Sequence, residues 1–401
     1  MTVTVRSFAK INLGLFIGPS RPDGFHELRT VYQTVALHDI VRVRVGRGTG
    51  IEIRCADPRV PTDASNTCYR MVERAMAALK ARGRVVIEIE KRLPVQGGLG
   101  GASGNAVAAL LALEIALKKK IPGPEQLRIA AEVGSDLPLF LIGGTVLGVG
   151  RGEEVYPLPD LPATACVIAT PEIGVSTPQA FADWDALFPQ GLKPRSSGAP
   201  SGTTEAAPFS EQTHSWEGND LNRAVEGPRR PGRSTRDPSL RLKEGYVQDD
   251  VHMDSRVLKS NLHNDAKLTG AAPSDRMVEL GRVFSAWLSG SQRLVSGVPA
   301  GGRVRAETPL LDLVRTGIEN DFERVVFPKY PELREAKRLL ERAGAFYASL
   351  SGSGSAIYGL FRTAQSAQEA AEKLRKRGVP AKATATLTRQ QYGRKLLVSS
   401  C

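Results

Sequence analysis

Residues 97–104 read Gly-Gly-Leu-Gly-Gly-Ala-Ser-Gly, five glycines in eight positions, and run straight into the apolar stretch "NAVAALLAL". Each glycine at a helix start carries a conformational cost, so the pattern needs a reason. Bare backbone suits a group that must approach the main chain closely, and the first N–H groups of a helix favour an anion there. A phosphate is the leading candidate. The loop is not a Walker loop, because no Gly-x-x-x-x-Gly-Lys-Ser/Thr string occurs in the chain. It also fails the Gly-x-Gly-x-x-Gly dinucleotide pattern, since counting from Gly98 the last glycine position is Ser103. Taken alone, a plain turn between a strand and a helix remains the alternative.

The 401 residues, 41% hydrophobic and 24% charged, predict a soluble protein with a sizeable core, built as two domains or one large one with insertions. Up to about Cys166, β-rich runs such as "TVTVRSFAKINLGLFIG" and "RVVIEIEKRL" alternate with helical patterns such as "TCYRMVERAMAALKARG", which predicts an α+β or α/β domain over residues 1–166. A second domain follows over 167–401. It is interrupted from about 195 to 269 by Ser, Gly, Pro, Asn, Asp and Arg with few periodic apolar positions, read as a disordered insertion. Ordered patterning returns at "SDRMVELGRVFSAWLSG", and "YPELREAKRLLERAGAFYASLSGSGSAIYGLF" reads as helix, glycine-rich turn and strand.

The formal charge is +12, but the basic residues are spread along the chain and no zinc-finger or RNA-stacking signature is present. The excess is read as a mild field suited to small anions, with no nucleic-acid partner expected. Cys55, Cys68, Cys166 and Cys401 lie far apart without metal-ligand spacing, which fits a reduced, cytoplasmic protein. The N-terminus shows no signal-peptide run, and Leu137 to Gly150 is too short and too glycine-broken to span a membrane. No membrane partner is expected.

The loop from Pro94 through Val95, Gln96, Gly97, Gly98, Leu99, Gly100, Gly101, Ala102, Ser103 and Gly104 to Asn105 resembles the Pro-x-x-x-Gly-Leu-Gly-Ser-Ser-Ala phosphate loop of the GHMP small-molecule kinases. Further segments narrow the likeness to the branch that phosphorylates a cytidine-diphosphate-linked methylerythritol in isoprenoid precursor synthesis. They are "FAKINLGL" at 8–15, "RPDGFHELRTVYQ" at 21–33, "GSDLPLFLIGGTVLGVGRGE" at 134–153, and "NDFERVVFPKYPEL" with "SLSGSGSAIYGLF" near the C-terminus. Only the insertion lies outside the resemblance. It implies an α+β GHMP kinase fold: a ribosomal-protein-S5-like N-terminal domain, a ferredoxin-like C-terminal domain, and an active site in the cleft between them. It also implies ATP and Mg²⁺ as cofactors, a small-molecule substrate, and a monomer or homodimer. Another GHMP kinase, acting on homoserine or a sugar, and a nucleotide-binding relative without turnover are the rival readings.

The resemblance assigns roles residue by residue, beside which each residue has a plainer reading. Lys10, on its own a solvated strand lysine, would supply the cation that the phosphate loop lacks, and Asn12 would hold the acceptor hydroxyl. Asp136, locally a helix cap or turn residue, would be the general base. Phe25 and Phe181 would sandwich the cytosine, His26 would hydrogen-bond its edge, and Tyr32 would line that pocket; the alternative is core aromatics and a satisfied turn histidine. Phe25 stands where the relatives carry Tyr, and so lacks the hydroxyl. Asn66 would lie near the nucleotide, although it also fits a helix cap. Ser351, Gly352, Ser353 and Gly354 would close over phosphates and substrate. Ser103 is the candidate hydroxyl for magnesium. Gly104, where the family has serine, is expected to remove a second hydroxyl from phosphate or metal.

Overall fold

The computed structural model describes residues 1–188 and 318–398. The expected insertion at 195–269, the helical pattern after Ser274 and Cys401 lie outside the described residues.

A long hairpin organises the N-terminal part. Strand β1 (Thr2–Ser20) and strand β2 (His26–Gly46) pair antiparallel over most of their length, with Lys10 opposite Thr34 and Asn12 opposite Tyr32. β2 continues the sheet through two different neighbours. Its second half pairs with β4 (Arg84–Glu90), and Thr30 to Gln33 pair with β5 (Thr145–Val149). With β3 (Ile51–Cys55) beside β4 and β6 (Glu154–Pro157) beside β5, the order is β3-β4-β2-β5-β6, and β1 lies on β2. Helices α1 (Thr67–Ala78), α2 (Gly101–Leu117), α3 (Gly123–Val133) and α4 (Leu137–Ile142) complete this part.

The alanine-rich sequence after the glycine loop explains where α2 sits. Gly104 to Leu110 are all buried, as are Ala112 and Leu113, so α2 is covered on all sides and packs against both β1 and α1. A helix apolar all round belongs inside a fold. Small side chains let its neighbours come close.

The second sheet begins with β7 (Ala165–Ala169). After β7 come α5 (Thr177–Leu187), α6 (Glu323–Lys329), α7 (Pro331–Arg342), β8 (Tyr347–Leu350), β9 (Ile357–Phe361), α8 (Ala364–Lys376), β10 (Ala381–Ala385) and α9 (Arg389–Leu396). The order β10-β7-β9-β8, antiparallel throughout, is the ferredoxin-like arrangement that the resemblance implies. The reading of helix, glycine turn and strand near the C-terminus needs one addition. A short strand, β8, precedes the turn.

The two sheets share an apolar core. Ile11, Leu13 and Phe16 of β1 pack with Cys166, Ile168, Tyr358 and Leu360. This covers the middle of β1 on both faces, from Ser7 to Gly18. Alternation along a strand then sends Ile11 and Leu13 one way and Lys10 and Asn12 the other. Two irregularities in the β1–β2 register, between Phe8 and Ala9 and between Asn12 and Gly14, flank these polar residues. Bulges of this kind re-aim side chains.

Candidate active site

Lys10 is 4% exposed and Asn12 1%, and two polar groups so deep in a strand need partners. They find them in series. The Lys10 ammonium donates to Asn12 Oδ1 at 2.7 Å, Asn12 Nδ2 donates to Thr30 Oγ1 at 2.7 Å, and the Thr30 hydroxyl donates to the Gly14 carbonyl at 2.7 Å. An ammonium can only donate, so the chain of bonds fixes the orientation of the Asn12 amide. Lys10 also lies 3.3 Å from Asp136 Oδ2 and 5.5 Å from the centroid of the Tyr32 ring.

Asp136 stands at the N-cap of α4 but makes no capping hydrogen bond with its side chain. Its carboxylate turns to Lys10 and to Tyr32, whose hydroxyl donates to Oδ1 at 3.0 Å. The plain capping reading therefore fails. The Asp136 side chain is 33% exposed against 5% for Lys10, so the carboxylate is the member of the pair that an incoming molecule can reach. Burial, and then the neighbouring carboxylate, push the Tyr32 phenol well above its ordinary range, which keeps it a donor. Tyr32 thus belongs with Lys10 and Asp136. Tyr32 and His26 are six positions apart on β2, roughly 20 Å of extended chain.

The phosphate loop closes over this group. Gly100, with φ +68°, is the N-cap of α2, and a Cβ there would meet Lys10 Cγ and the Phe140 ring, each at 2.9 Å. The Leu99 carbonyl accepts from the Lys10 N–H at 2.9 Å. The second glycine loop, Ser351 to Ser355, interlocks with the first. A Cβ on Gly98 (φ +75°) would lie 2.2 Å from the Ser351 carbonyl, and one on Gly354 would lie 2.4 Å from the Gly98 nitrogen. The Ser351 hydroxyl donates to the Gly98 carbonyl at 3.1 Å, and the Ala356 N–H to that of Gly97 at 3.1 Å. A Cβ on Gly352 would stand 3.4 Å from both Lys10 Nζ and Asn12 Oδ1. Both loops therefore border the lysine.

Gly104 departs from expectation. A Cβ there would point to the Ser7 hydroxyl at 2.9 Å and the Phe8 carbonyl at 3.0 Å, into the packing of α2 against β1. Gly104 is buried one full turn beyond Gly100, and its outward direction faces the strand. A serine Cβ at this position would meet β1. Asn66 caps α1: its Oδ1 accepts from the Cys68 N–H at 2.8 Å and its Nδ2 donates to the Pro61 carbonyl at 2.6 Å, so both polar ends are engaged. The Thr67 hydroxyl, next in sequence, donates to the Ala102 carbonyl at 3.0 Å and ties the starts of α1 and α2 together.

At the other end of β2, His26 is 7% exposed and stacks on Phe181, with centroids 4.9 Å apart and planes 14° apart. The Phe181 ring in turn meets Phe322 edge-on at 5.0 Å. Phe25 is 50% exposed with the Arg151 guanidinium 5.0 Å from its ring centroid. Each of the two rings expected to sandwich a base thus already has a planar partner.

Several site residues escaped the sequence reading. Asn320 Nδ2 donates to the Leu350 and Gly352 carbonyls at 2.9 and 2.8 Å and so holds the second loop. Asp39, fully buried in β2, accepts from Lys91 Nζ at 2.6 Å and from the Arg92 and Leu93 N–H groups at 2.7 and 2.8 Å. A charged residue inside the apolar run "VALHDIVRV" was the available signal. Lys91 in turn lies 3.2 Å from where a Cβ of Gly101 would be. Beside it a cavity of about 470 Å³ is lined by groups that include Arg59, Lys91, Arg92, Pro94 and Leu99.

The comparisons with known proteins show the family. The family model "GHMP kinases N terminal domain" matches residues 66–144, and "GHMP kinases C terminal" matches residues 307–380. The 4-diphosphocytidyl-2-C-methyl-D-erythritol kinase of Solibacter usitatus is 33% identical over 361 residues, covering 89% of this chain and 81% of that protein. The protein of the same name from Acaryochloris marina is 29% identical over 375 residues, covering 92% and 91%. Among solved structures, a 4-(cytidine 5'-diphospho)-2C-methyl-D-erythritol kinase superposes with a TM-score of 0.57 at 23% identity, covering 96% of this chain and 98% of that one. A homoserine kinase from Cytophaga hutchinsonii reaches the same TM-score at 18% identity, covering 98% and 96%, so the fold alone does not choose between substrates. The sequence relatives do: this chain belongs to the 4-diphosphocytidyl-2-C-methyl-D-erythritol kinase family of the GHMP kinases.

Proposed function

We propose that the protein transfers the γ-phosphoryl group of ATP to the 2-hydroxyl of 4-diphosphocytidyl-2-C-methyl-D-erythritol, giving the 2-phosphate, a step in isoprenoid precursor synthesis. The observation that carries this reading is the contact of two interlocked glycine loops with the Lys10, Asn12, Tyr32 and Asp136 cluster. Phosphoryl transfer asks mainly for positioning and for charge stabilisation along the line of transfer. The backbone N–H groups at the start of α2 hold the ATP phosphates, with Gly97 to Ser103 as the cradle and the nucleoside in the cavity beside Lys91. Asn12 keeps the Lys10 ammonium in place, and Lys10 stabilises charge on the transferring group.

Asp136 accepts the hydroxyl proton on Oδ2 while Tyr32 holds Oδ1. Ser351 to Gly354 close the site over the phosphates. Phe25, His26 and Phe181 read the cytosine, the base exchanging for Arg151 on the face of Phe25.

Magnesium fits this donor set as an ion carried on ATP. Among the described residues no group of three His, Cys, Asp or Glu side chains could hold a metal. Mg²⁺ commonly keeps its waters and binds substrate phosphates with few protein ligands. Ser103 is the hydroxyl that would hold it, and when bound the ion neutralises phosphate charge.

The test is ADP formation by the purified protein with Mg²⁺, ATP and the cytidylyl substrate, beside Lys10→Ala and Asp136→Asn. Substrate-dependent turnover lost in both variants is the expected result. Turnover on homoserine or a sugar, or none at all, would sink the assignment.

A further inference from the structure

One face of α5 reaches the site three times at helical spacing. Thr177, Phe181 and Asp185 are four residues apart and therefore lie in a row. The Thr177 hydroxyl meets the Ser353 hydroxyl of the second glycine loop at 2.7 Å. Phe181 stacks on the His26 ring, and Asp185 Oδ1 lies 2.7 Å from His26 Nε2. Buried Ala180 and Trp184, together with an ion pair of 2.6 Å between Asp183 and Lys329, anchor the helix from other sides. His26 is thus held twice by one helix, once through its face and once through one ring nitrogen.

We infer that Asp185 is a positioning residue that sets the hydrogen-bonding sense of His26 and thereby selects cytosine over uracil. This inference rests on the cytidine reading above. A carboxylate can only accept, so the proton of a neutral imidazole sits on Nε2, and Nδ1 is left as the acceptor. The Ser20 hydroxyl, 3.3 Å from the same Nε2, leaves that assignment intact, and among the described residues Nδ1 has no hydrogen-bond partner.

Cytosine presents an amino donor at position 4 where uracil presents a carbonyl acceptor. An accepting Nδ1 pairs with the first and opposes the second. A base bonded in the plane of the imidazole also lies parallel to the Phe181 ring, because that ring is only 14° from the imidazole plane. Without the carboxylate the proton is free to sit on either nitrogen, and the rule that separates the two bases weakens.

The experiment measures inhibition by CDP and by UDP in the wild-type protein, Asp185→Ala and Asp185→Glu, together with the His26 ring tautomer by long-range ¹H–¹⁵N NMR. The Asp185 side chain is 46% exposed, so folding should survive its truncation. The expected result is a wild-type protein that prefers CDP and carries the His26 proton on Nε2. Asp185→Ala should lower the CDP preference by roughly tenfold, the scale expected when a site built for one donor pattern loses it. Asp185→Glu should restore part of the preference.

An unchanged preference and tautomer in Asp185→Ala would overturn the inference while leaving the cytidine reading intact. A wild-type protein that does not prefer CDP would overturn both.

Discussion

The proposed reaction centre and the proposed base-reading end lie on the same two strands and are built in opposite ways. Around Lys10 every group is buried or bonded to a buried neighbour, and the two glycine loops meet backbone to backbone with no room for a methyl group. Around His26 the parts are side chains on separate elements: an exposed Phe25, an arginine resting on it, and a helix face from α5. Phosphoryl transfer needs fixed positions to within a fraction of an ångström, which interlocked backbone provides. Reading a base needs ring faces and a donor pattern, which side chains can present and exchange. On the proposed function, interlocked backbone fixes where the side chains of Lys10 and Asp136 stand, and exchangeable side chains carry selectivity.

Four substitutions test that division, and the first should have the largest effect. Asp136→Asn keeps the shape of the side chain but removes the proton acceptor, so kcat should fall by roughly 10²–10⁴ with KM for both substrates little changed. Steady-state kinetics decide it; a change confined to KM would move Asp136 from the chemistry to binding.

Gly98→Ala comes next. Its Cβ would sit 2.2 Å from the Ser351 carbonyl at a φ of +75°, which forces the loops apart. A loss of about 2–4 kcal/mol in denaturant stability is expected, along with most activity. Retention of both would show that the loops are not interlocked.

Phe181→Ala should act at the other end. Removing one stacking face should raise KM for the cytidylyl substrate by an amount equivalent to about 1–3 kcal/mol, with kcat within a few-fold of wild type. A fall in kcat of the Asp136 scale would break the comparison. The smallest effect is expected from Gly104→Ser, which presses on the Ser7 hydroxyl and the Phe8 carbonyl. It should cost about 1–2 kcal/mol of stability and leave the KM for ATP unchanged. A lowered KM would mean that the serine does reach phosphate.

Much of this site was legible because its parts are local. The glycine loop, the strand with Lys10 and the aspartate before α4 each carry their signal within a dozen residues. The direction in which a side chain points is not a local property. The resemblance places Tyr32 in the pocket read by His26, and the structure shows its hydroxyl bonded to Asp136. Gly104 stands where the family has serine, which implies a missing hydroxyl for phosphate or metal, yet α2 faces this position to β1. Asp39, Asn320 and Asp185 were passed over because each acts through a partner far along the chain: Asp39 on Lys91, Asn320 on the Gly352 carbonyl, Asp185 on His26.

What the amino-acid sequence determined by itself is what short stretches decide: strand alternation that puts Lys10 and Asn12 on one face, an alanine-rich helix that must be buried, and glycines that accept positive φ. These follow from backbone sterics and solvation over one or two turns of chain. Only the tertiary structure decided which groups meet. Tyr32 bonds Asp136 across 104 positions, and Ser351 bonds Gly98 across 253. Such meetings depend on how two sheets pack over a shared core, a sum of many small contacts that no single stretch contains.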